Sequence, residues 1–307
     1  MEPIELKFFQ QLKNDTVDHD FLLVYSDWLQ ERGDPRGEII ALECALLLDR
    51  HKNKAEIQER FDYLMQEQID ALNLSSETLE GMNLTWVLGS VIRIKVHNGE
   101  EACLTTLGKV VTNTRQLVFL FSLTLSGIGL SEVPEWVSQC SQLTELDLSD
   151  NNIGELPDWI GTFSLLQEFY LSDNNIAGLP NSLGLLSQLT LLDLSNNNIS
   201  ELPDSMVKLN QLTEMTIWNN SIKVLPDFLG KLGQLLKLNL GRNNISKLPV
   251  SIGQLSHLEK LDLWGNDINE LPNSLSQLEQ LQELDLGFNS INKFPTSLIK
   301  LRQLTVL

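Results

Sequence analysis

The chain has 307 residues, which is enough for two ordinary domains or for one repeat array with an attached cap. Its apolar share of 42% supports a sizeable core, and its formal net charge is −19. An acidic surface repels nucleic acid and anionic membranes, so neither is expected as a partner, whereas a basic protein or peptide fits better. The acidic residues are spread along the chain rather than gathered in one tail.

Three isolated cysteines, Cys44, Cys103 and Cys140, form neither a disulfide framework nor a clustered zinc-ligand set, and the four histidines lack ligand spacing. No metal and no cofactor is therefore expected. The N-terminus is acidic and has no apolar run like that of a secretory signal, and no stretch is apolar for long enough to span a bilayer. A cytoplasmic location is the expectation that follows.

The first 72 residues lack any repeat and predict a helical domain. Amphipathic periodicity predicts helices at residues 5–13, 19–31, 36–48 and 54–72. Residues 73–119 are expected to form a transitional cap of the repeat array. Within this cap, residues 91–96 predict a strand and residues 102–111 a helix that returns across the convex side.

An internal repeat of 23 residues then decides the fold. A degenerate copy occupies residues 120–142, seven full copies occupy residues 143–303, and a further copy begins at residue 304. The full copies and the partial copy begin without insertion or deletion at Leu143, Leu166, Leu189, Leu212, Leu235, Leu258, Leu281 and Leu304. Each unit has the form Leu-x-x-Leu-x-Leu-x-x-Asn-x-Ile-x-x-Leu-Pro, so regular stacking of identical units is expected.

Each position of the repeat has a physical reading. Leu-x-Leu alternation suits a short strand with one buried face, and stacked copies would form a parallel sheet with strands about 4.8 Å apart. The repeated asparagine, as in Asn197, can bond the backbone of its own and the adjacent turn. The Leu-Pro step, as at Leu202-Pro203, bars a regular helix and predicts short turns or 3-10 segments on the convex side.

This pattern resembles the leucine-rich repeats, in particular the 23-residue Leu-Pro class of plant intracellular Ras-group proteins and Ras-pathway scaffold proteins. The resemblance covers residues 120–307 and implies an α/β solenoid, an arc with a concave parallel sheet, capped by the N-terminal helical domain. If the chain ends at Leu307, its last strand has nothing stacked on it, so a longer natural chain or a partner at this end is expected.

A second resemblance lies in the run Tyr25-Ser26-Asp27-Trp28-Leu29-Gln30-Glu31-Arg32-Gly33-Asp34. It is similar to the companion domain that accompanies leucine-rich repeats in several bacterial groups, over roughly residues 4–48, although Ser26 replaces the usual alanine. The resemblance implies a bacterial intracellular protein and no activity. From the residues alone, Asp27, Trp28, Glu31 and Arg32 are expected to form an ion-paired helix end with a buried tryptophan, with a recognition site as the alternative.

Enzyme motifs are missing from the sequence, including the P-loop, Gly-x-Ser-x-Gly, His-Glu-x-x-His and Cys-x-x-Cys. No catalytic residue is assigned, and the protein is expected not to be an enzyme. The variable strand positions are more informative, because we expect the fold not to dictate them. Together they predict a partner-binding concave face formed by Tyr170, Asp193, Glu214, Trp218, Arg242, Asp262, Trp264, Asp285 and Phe288.

Within that face, Trp218, Arg242, Trp264 and Phe288 come from four consecutive units and are expected to form one continuous ridge. Tryptophan and arginine are enriched at binding hot spots, whereas the acidic columns beside them could equally serve solubility. A second pair, Trp136 and Trp159, is expected to stack and could reflect either packing or a second interface.

Two functional hypotheses follow. The first is a non-catalytic scaffold, expected to act in signalling, whose concave face binds a protein or peptide with basic and apolar features. The second is a regulatory or substrate-recruiting module of a larger enzyme, such as a GTPase, kinase or ligase.

Overall fold

The computed structural model describes residues 4, 7, 19–47, 54–71, 82–87, 90–96, 104–105, 107–109 and 120–306. The chain forms two compact units. One comprises Met1–Lys95 and Glu101–Leu120, and the other comprises Val96–Glu100 and Phe121–Leu307. The division of the N-terminal part at residue 72 stays a prediction.

The N-terminal unit contains three described helices, α1 (His19–Gln30), α2 (Arg36–Leu47) and α3 (Lys54–Ala71). They confirm the second, third and fourth predicted helices to within a residue or so. Two neighbouring strands follow, β1 (Met82–Val87) and β2 (Ser90–Val96). The second confirms the predicted strand, whereas the first was not predicted. The predicted helices at residues 5–13 and 102–111 lie mostly outside the described residues.

Helices α1 and α2 cross closely at Ser26 and Gly37. The Ser26 hydroxyl donates to the Gly37 carbonyl at 2.7 Å, and a Cβ on Gly37 would lie 2.6 Å from the Ser26 carbonyl oxygen. A side chain at position 37 would therefore collide with the backbone of α1, which accounts for the glycine there. The Arg60 guanidinium on α3 reaches the Glu38 carboxylate on α2 at 2.8 Å.

The repeat unit contributes one parallel strand per copy, and each strand is offset from the next by 23 residues, as in Glu145 opposite Glu168. The central residue of every one of these strands is buried, and each strand spans three residues, which confirms the predicted short strand. The strands are β3 (Ser122–Thr124), β4 (Glu145–Asp147), β5 (Glu168–Tyr170), β6 (Leu191–Asp193), β7 (Glu214–Thr216), β8 (Lys237–Asn239), β9 (Lys260–Asp262) and β10 (Glu283–Asp285).

The repeated asparagines join neighbouring copies below the sheet, as predicted. The side-chain nitrogen of Asn197 donates to the carbonyl oxygens of Leu171, Leu194 and Ser195 at 2.9–3.1 Å, and its oxygen accepts from the Ile176 amide at 2.9 Å. Every such asparagine from Asn151 to Asn266 is buried. Each one satisfies backbone groups that the turn would otherwise leave without partners.

The convex side consists of short 3-10 segments, as the Leu-Pro steps predicted. Each segment follows a proline, and in all but the last one the central apolar residue is buried in the leucine core. Across the full copies the segments are Asp158–Thr162, Asn181–Leu185, Asp204–Lys208, Asp227–Lys231, Val250–Gln254, Asn273–Gln277 and Thr296–Lys300. The chain is therefore an α/β solenoid of parallel strands and 3-10 segments with an N-terminal helical region.

The last full copy pairs with the partial copy after it through a parallel β-bridge. Val306 pairs with Glu283, and the Leu284 amide donates to the Val306 carbonyl at 3.0 Å. Phe294 and Ile299 nearby are exposed.

Candidate functional site

The third and fifth positions of each copy, counted from the leucine that opens it, flank the buried central residue of the strand and so share the concave face. Tyr170, Asp193, Glu214 and Asp262 are half-buried there, and Asp285 is exposed. The structure therefore brings five of the nine predicted site residues onto one sheet face.

The fifth-position carboxylates also serve the fold. Asp193 accepts from the Ser195 amide at 3.0 Å, Asp262 from the Trp264 amide at 2.9 Å and Asp285 from the Gly287 amide at 2.9 Å. Each aspartate thus closes the turn after its own strand, as short polar side chains often do. The expectation that the fold does not dictate this column was wrong for these residues.

The third-position charges pair across neighbouring strands in the last four copies. Lys237 contacts Glu214 at 3.1 Å, and Lys260 contacts Glu283 at 2.7 Å. Glutamate and lysine therefore neutralise each other here, and their exposed side chains contribute little to stability.

A groove of about 320 Å³ lies along this part of the concave face. Leu238, Leu261 and Leu284 contribute to its lining, together with charged side chains of the third and fifth positions. Burial raises the pKa of Asp262, and the neighbouring Asp285 carboxylate raises it further, although the Trp264 amide opposes this. The groove thus combines an apolar lining with carboxylates that a cationic or hydrogen-bond-donating group would stabilise.

The predicted ridge forms, and each of its side chains contacts the next one along the array. The Arg242 guanidinium lies 5.1 Å from the Trp218 ring and 5.1 Å from the Trp264 ring, and Trp264 contacts Phe288 at 4.9 Å between centroids. We call Trp218, Arg242, Trp264 and Phe288 the aromatic ridge. Both tryptophans are half-buried rather than exposed, because each packs against the next member, whereas Phe288 is 80% exposed.

The ridge alternates between the seventh and eighth positions of the repeat, and the eighth position has left-handed backbone. Five of its occupants are Asp150, Asp173, Asn196, Asn219 and Gly265, types that adopt a positive φ readily. Arg242 (φ 49°) and Phe288 (φ 52°) are the exceptions. A long or aromatic side chain costs about 1–2 kcal/mol more in this conformation than glycine, so the fold alone does not favour either residue.

Glycines at the seventh position make room for the preceding tryptophan. A Cβ on Gly241 would lie 2.8 Å from Trp218 Cδ1, and a Cβ on Gly287 would lie 2.8 Å from Trp264 Cδ1. The alternation of tryptophan and glycine at the seventh position of successive copies is visible in the sequence and was missed there. The short distances show that each indole lies over the turn of the next copy.

The second tryptophan pair does not stack as predicted. Among the described residues, Trp159 meets Phe163 edge-on at 5.9 Å, and its indole nitrogen donates to Glu135 at 3.2 Å. Trp136 is half-buried. The bond to Glu135 and the contact with Phe163 hold the Trp159 ring within the 3-10 side.

The helix end in the N-terminal unit also differs from its prediction. The Arg32 guanidinium lies 3.9 Å from the Trp28 ring and donates to the Trp28 carbonyl at 3.0 Å. Trp28 is half-buried, and the fully buried aromatic residue is Tyr25. The ion pair forms one turn later, where Arg36 donates to Asp34 at 2.9 Å, because the start of α2 buries Arg36 and makes pairing necessary.

Within the part of the chain that the structure describes, no three His, Cys, Asp or Glu side chains are grouped as metal ligands would be. Cys44 and Cys140 are buried free thiols, and burial raises the pKa of Cys140 to about 12, so that this thiol stays protonated. No described helix has the length and apolar character needed to cross a bilayer.

Three family models match the repeat array. A leucine-rich repeat region matches residues 227–307, and two further leucine-rich-repeat models match residues 164–222 and 142–163. The chain is therefore a leucine-rich-repeat protein, a class that typically forms non-catalytic modules for protein–protein interaction. No curated protein sequence matches the chain significantly.

Solved leucine-rich-repeat structures are similar to part of the chain. A leucine-rich-repeat protein of Leptospira interrogans is 28% identical over 65% of this chain and 55% of its own, with a TM-score of 0.61. The plant peptide hormone receptor RGFR1, solved in complex with RGF2, is 30% identical over 66% of this chain and 32% of its own, with a TM-score of 0.58.

The Arabidopsis receptor kinase HAESA, solved with the peptide hormone IDA and the co-receptor SERK1, is 30% identical over 61% of this chain and 33% of its own, with a TM-score of 0.55. The match thus spans about half of the bacterial protein and about a third of each plant receptor.

Proposed function

We propose that this protein is a non-catalytic interaction module that binds a protein or peptide partner on its concave face. The observation that carries the proposal is the aromatic ridge beside the groove. Arg242 and Phe288 occupy left-handed positions that the fold alone assigns to asparagine, aspartate or glycine. Strained residues that persist against local preference are typical of functional sites.

The composition of this surface indicates the partner. Tryptophan and arginine are enriched at binding hot spots, and the ridge offers two indoles, one guanidinium and one exposed phenyl ring in contact with each other. The carboxylates of Asp262 and Asp285 lie on adjacent strands. A partner with apolar side chains for the ridge and basic groups for the carboxylates fits this surface.

The solved relatives support a peptide or protein as ligand, since HAESA was solved with a peptide hormone and the peptide hormone receptor RGFR1 was solved with RGF2. The proposal also includes the finer assignments, namely the Ras-group repeat class, the bacterial companion domain at roughly residues 4–48 and a cytoplasmic setting. The buried, unpaired thiols of Cys44 and Cys140 are compatible with a reducing compartment.

The test is a peptide selection followed by calorimetry. Random peptides displayed on phage are selected on the full chain, and synthetic copies of the enriched peptides are titrated against wild type and a Trp218→Ala/Trp264→Ala variant. We expect the variant to bind at least about tenfold more weakly, because hot-spot truncations cost about 2 kcal/mol or more. The half-buried indoles also pack against the ridge, so a stability loss of about 1–2 kcal/mol is expected alongside.

A matched control is Trp136→Ala/Trp159→Ala, which removes two half-buried indoles from the 3-10 side. It should leave the affinity of the selected peptides unchanged. If this control loses binding while the ridge variant retains it, the functional surface lies at the Trp136–Trp159 edge and the proposal is wrong.

A further inference from the structure

Charge is divided unevenly between the two halves of the repeat array. Residues 120–207 carry twelve acidic side chains and no lysine, arginine or histidine. Residues 208–307 carry nine acidic side chains and ten lysines or arginines. The acidity that looks evenly spread along the whole chain is therefore concentrated, within the solenoid, in its first half.

The same division holds on the concave face. In the second half, lysines share the third-position column with glutamates and pair with them, as in Lys237 with Glu214. In the first half, that column and the fifth-position column carry the carboxylates of Asp147, Glu168 and Asp193. The fold accepts lysine at the third position, as at Lys237 and Lys260, so the repeat does not require an acidic residue at Glu168.

The carboxylates of the first half are held in place. Asp147 and Asp193 each accept a backbone amide of their own turn, at 2.9 and 3.0 Å. The Tyr170 hydroxyl donates to Glu168 at 2.7 Å. Burial raises the pKa of Tyr170, and Glu168 with the neighbouring carboxylates raises it further, so the phenol remains a donor and keeps Glu168 oriented.

This anionic sheet face continues directly into the aromatic ridge. Asp193 on β6 is one strand away from β7, and Trp218 follows β7 in the same copy. With strands about 4.8 Å apart, the face from β4 to β6 spans about 10 Å, and the ridge extends about 15 Å further. One extended segment of about eight residues could lie across both.

We infer that the concave face of strands β4–β6 docks a lysine- and arginine-rich segment of the same partner whose apolar residues contact the aromatic ridge. The inference rests on the proposed function and adds to it the orientation of the partner along the repeat array. The basic part of the partner lies towards residues 120–207, and its apolar part lies towards Trp218 and Phe288. Fixed carboxylates without intervening lysines attract such a segment and speed its association.

The experiment titrates a fluorescent oligolysine peptide into the full chain at low ionic strength. The test variant is Glu168→Gln/Asp193→Asn, which removes two concave carboxylates but keeps an oxygen acceptor for Tyr170 and for the Ser195 amide. We expect binding about three- to tenfold weaker than wild type, as two lost ion pairs imply. The slope of affinity against salt concentration should also fall.

The matched control is Glu201→Gln/Asp204→Asn. Both residues are exposed and belong to the same copy as Asp193, but they lie beyond its asparagine turn and at the start of its 3-10 segment. The change in net charge is identical, so oligolysine affinity should stay within about twofold of wild type if position matters. Equal weakening by both variants, or no oligolysine binding to wild type, would overturn the inference.

The Trp218→Ala/Trp264→Ala variant separates this inference from the proposed function. It should bind oligolysine as wild type does, while losing the selected peptides. If the selected peptides need the ridge but oligolysine shows no preference for the concave carboxylates, the proposed orientation of the partner is wrong, whereas the proposed function is supported. Circular dichroism spectra and thermal unfolding of each variant confirm that the comparisons concern folded protein.

Discussion

At the scale of single residues, the repeat accounts for most side chains of each copy, and the aromatic ridge is where the sequence departs from it. Asparagine, aspartate and glycine are natural at the left-handed eighth position because their short side chains tolerate a positive φ. Arg242 and Phe288 break that rule in the two copies whose seventh position is glycine, next to the copies that carry the two tryptophans. The coincidence of backbone cost and aromatic contact is what distinguishes the aromatic ridge from ordinary surface.

Asp262 provides a test at this scale, since burial and Asp285 together raise its pKa. An acid whose pKa is higher in the folded state than in the unfolded state favours folding when protonated. The fold should therefore gain stability from this group as the pH falls from neutral through the raised pKa towards the ordinary value of about 4. Asp262→Asn keeps an acceptor for the Trp264 amide and removes the charge.

We expect Asp262→Asn to raise the free energy of unfolding at about pH 7 by less than about 1 kcal/mol, since solvent screens this half-buried group. The difference from wild type should shrink at about pH 4, where wild-type Asp262 becomes protonated. Urea denaturation at both pH values measures this. If the variant is less stable than wild type at neutral pH, the hydrogen bond from the Trp264 amide to the Asp262 carboxylate stabilises the fold more than burial and repulsion by Asp285 destabilise it.

At the scale of elements, neighbouring copies meet backbone to backbone on the convex side. A Cβ on Gly184 would lie 2.2 Å from the Ser205 carbonyl oxygen, so the 3-10 segments Asn181–Leu185 and Asp204–Lys208 are spaced for glycine. The next copy has Val207 at this position, and in the copy after it the residue that corresponds to Ser205 is Phe228.

Gly184→Ala should therefore force the two segments apart and lower the free energy of unfolding by about 2–3 kcal/mol, in the range of other overpacked sites. Gly178→Ala is the control in the same copy, because a Cβ there meets no atom within 4 Å. Chemical denaturation of both variants makes the comparison. Equal effects of the two substitutions would mean that the close approach does not limit the spacing.

At the scale of the whole repeat array, stability is a sum over copies and their interfaces. Charge repulsion within one part of the array therefore lowers the stability of that part. Residues 120–207 carry only acidic charges, whereas acidic and basic charges nearly balance in residues 208–307. Repulsion among carboxylates opposes stacking in the first half and is weakened when salt shortens the screening length.

We therefore expect added salt to slow amide hydrogen exchange more in residues 120–207 than in residues 208–306. Mass-spectrometric exchange at about 0.01 M and about 0.5 M sodium chloride measures both halves in the same sample, and the second half serves as the internal reference. An equal gain in protection along the array would contradict the uneven electrostatic destabilisation.

Much of the fold follows from the sequence alone, because the 23-residue period repeats each physical requirement in phase. The parallel sheet, the asparagine turns and the 3-10 segments after Leu-Pro were predicted from one copy and recur in the others. The four ridge residues were also predicted, since tryptophan, arginine and phenylalanine stand out where the repeat elsewhere places small polar side chains.

Only the tertiary structure decided how those residues are used. It made Asp193, Asp262 and Asp285 acceptors for the amides of their own turns, packed Trp159 against Phe163, and placed Arg242 between two indoles. A repeat pattern specifies which positions face the same way, but not the backbone conformation or the rotamers within each turn. Those depend on contacts between copies, and such contacts exist only once the copies are stacked.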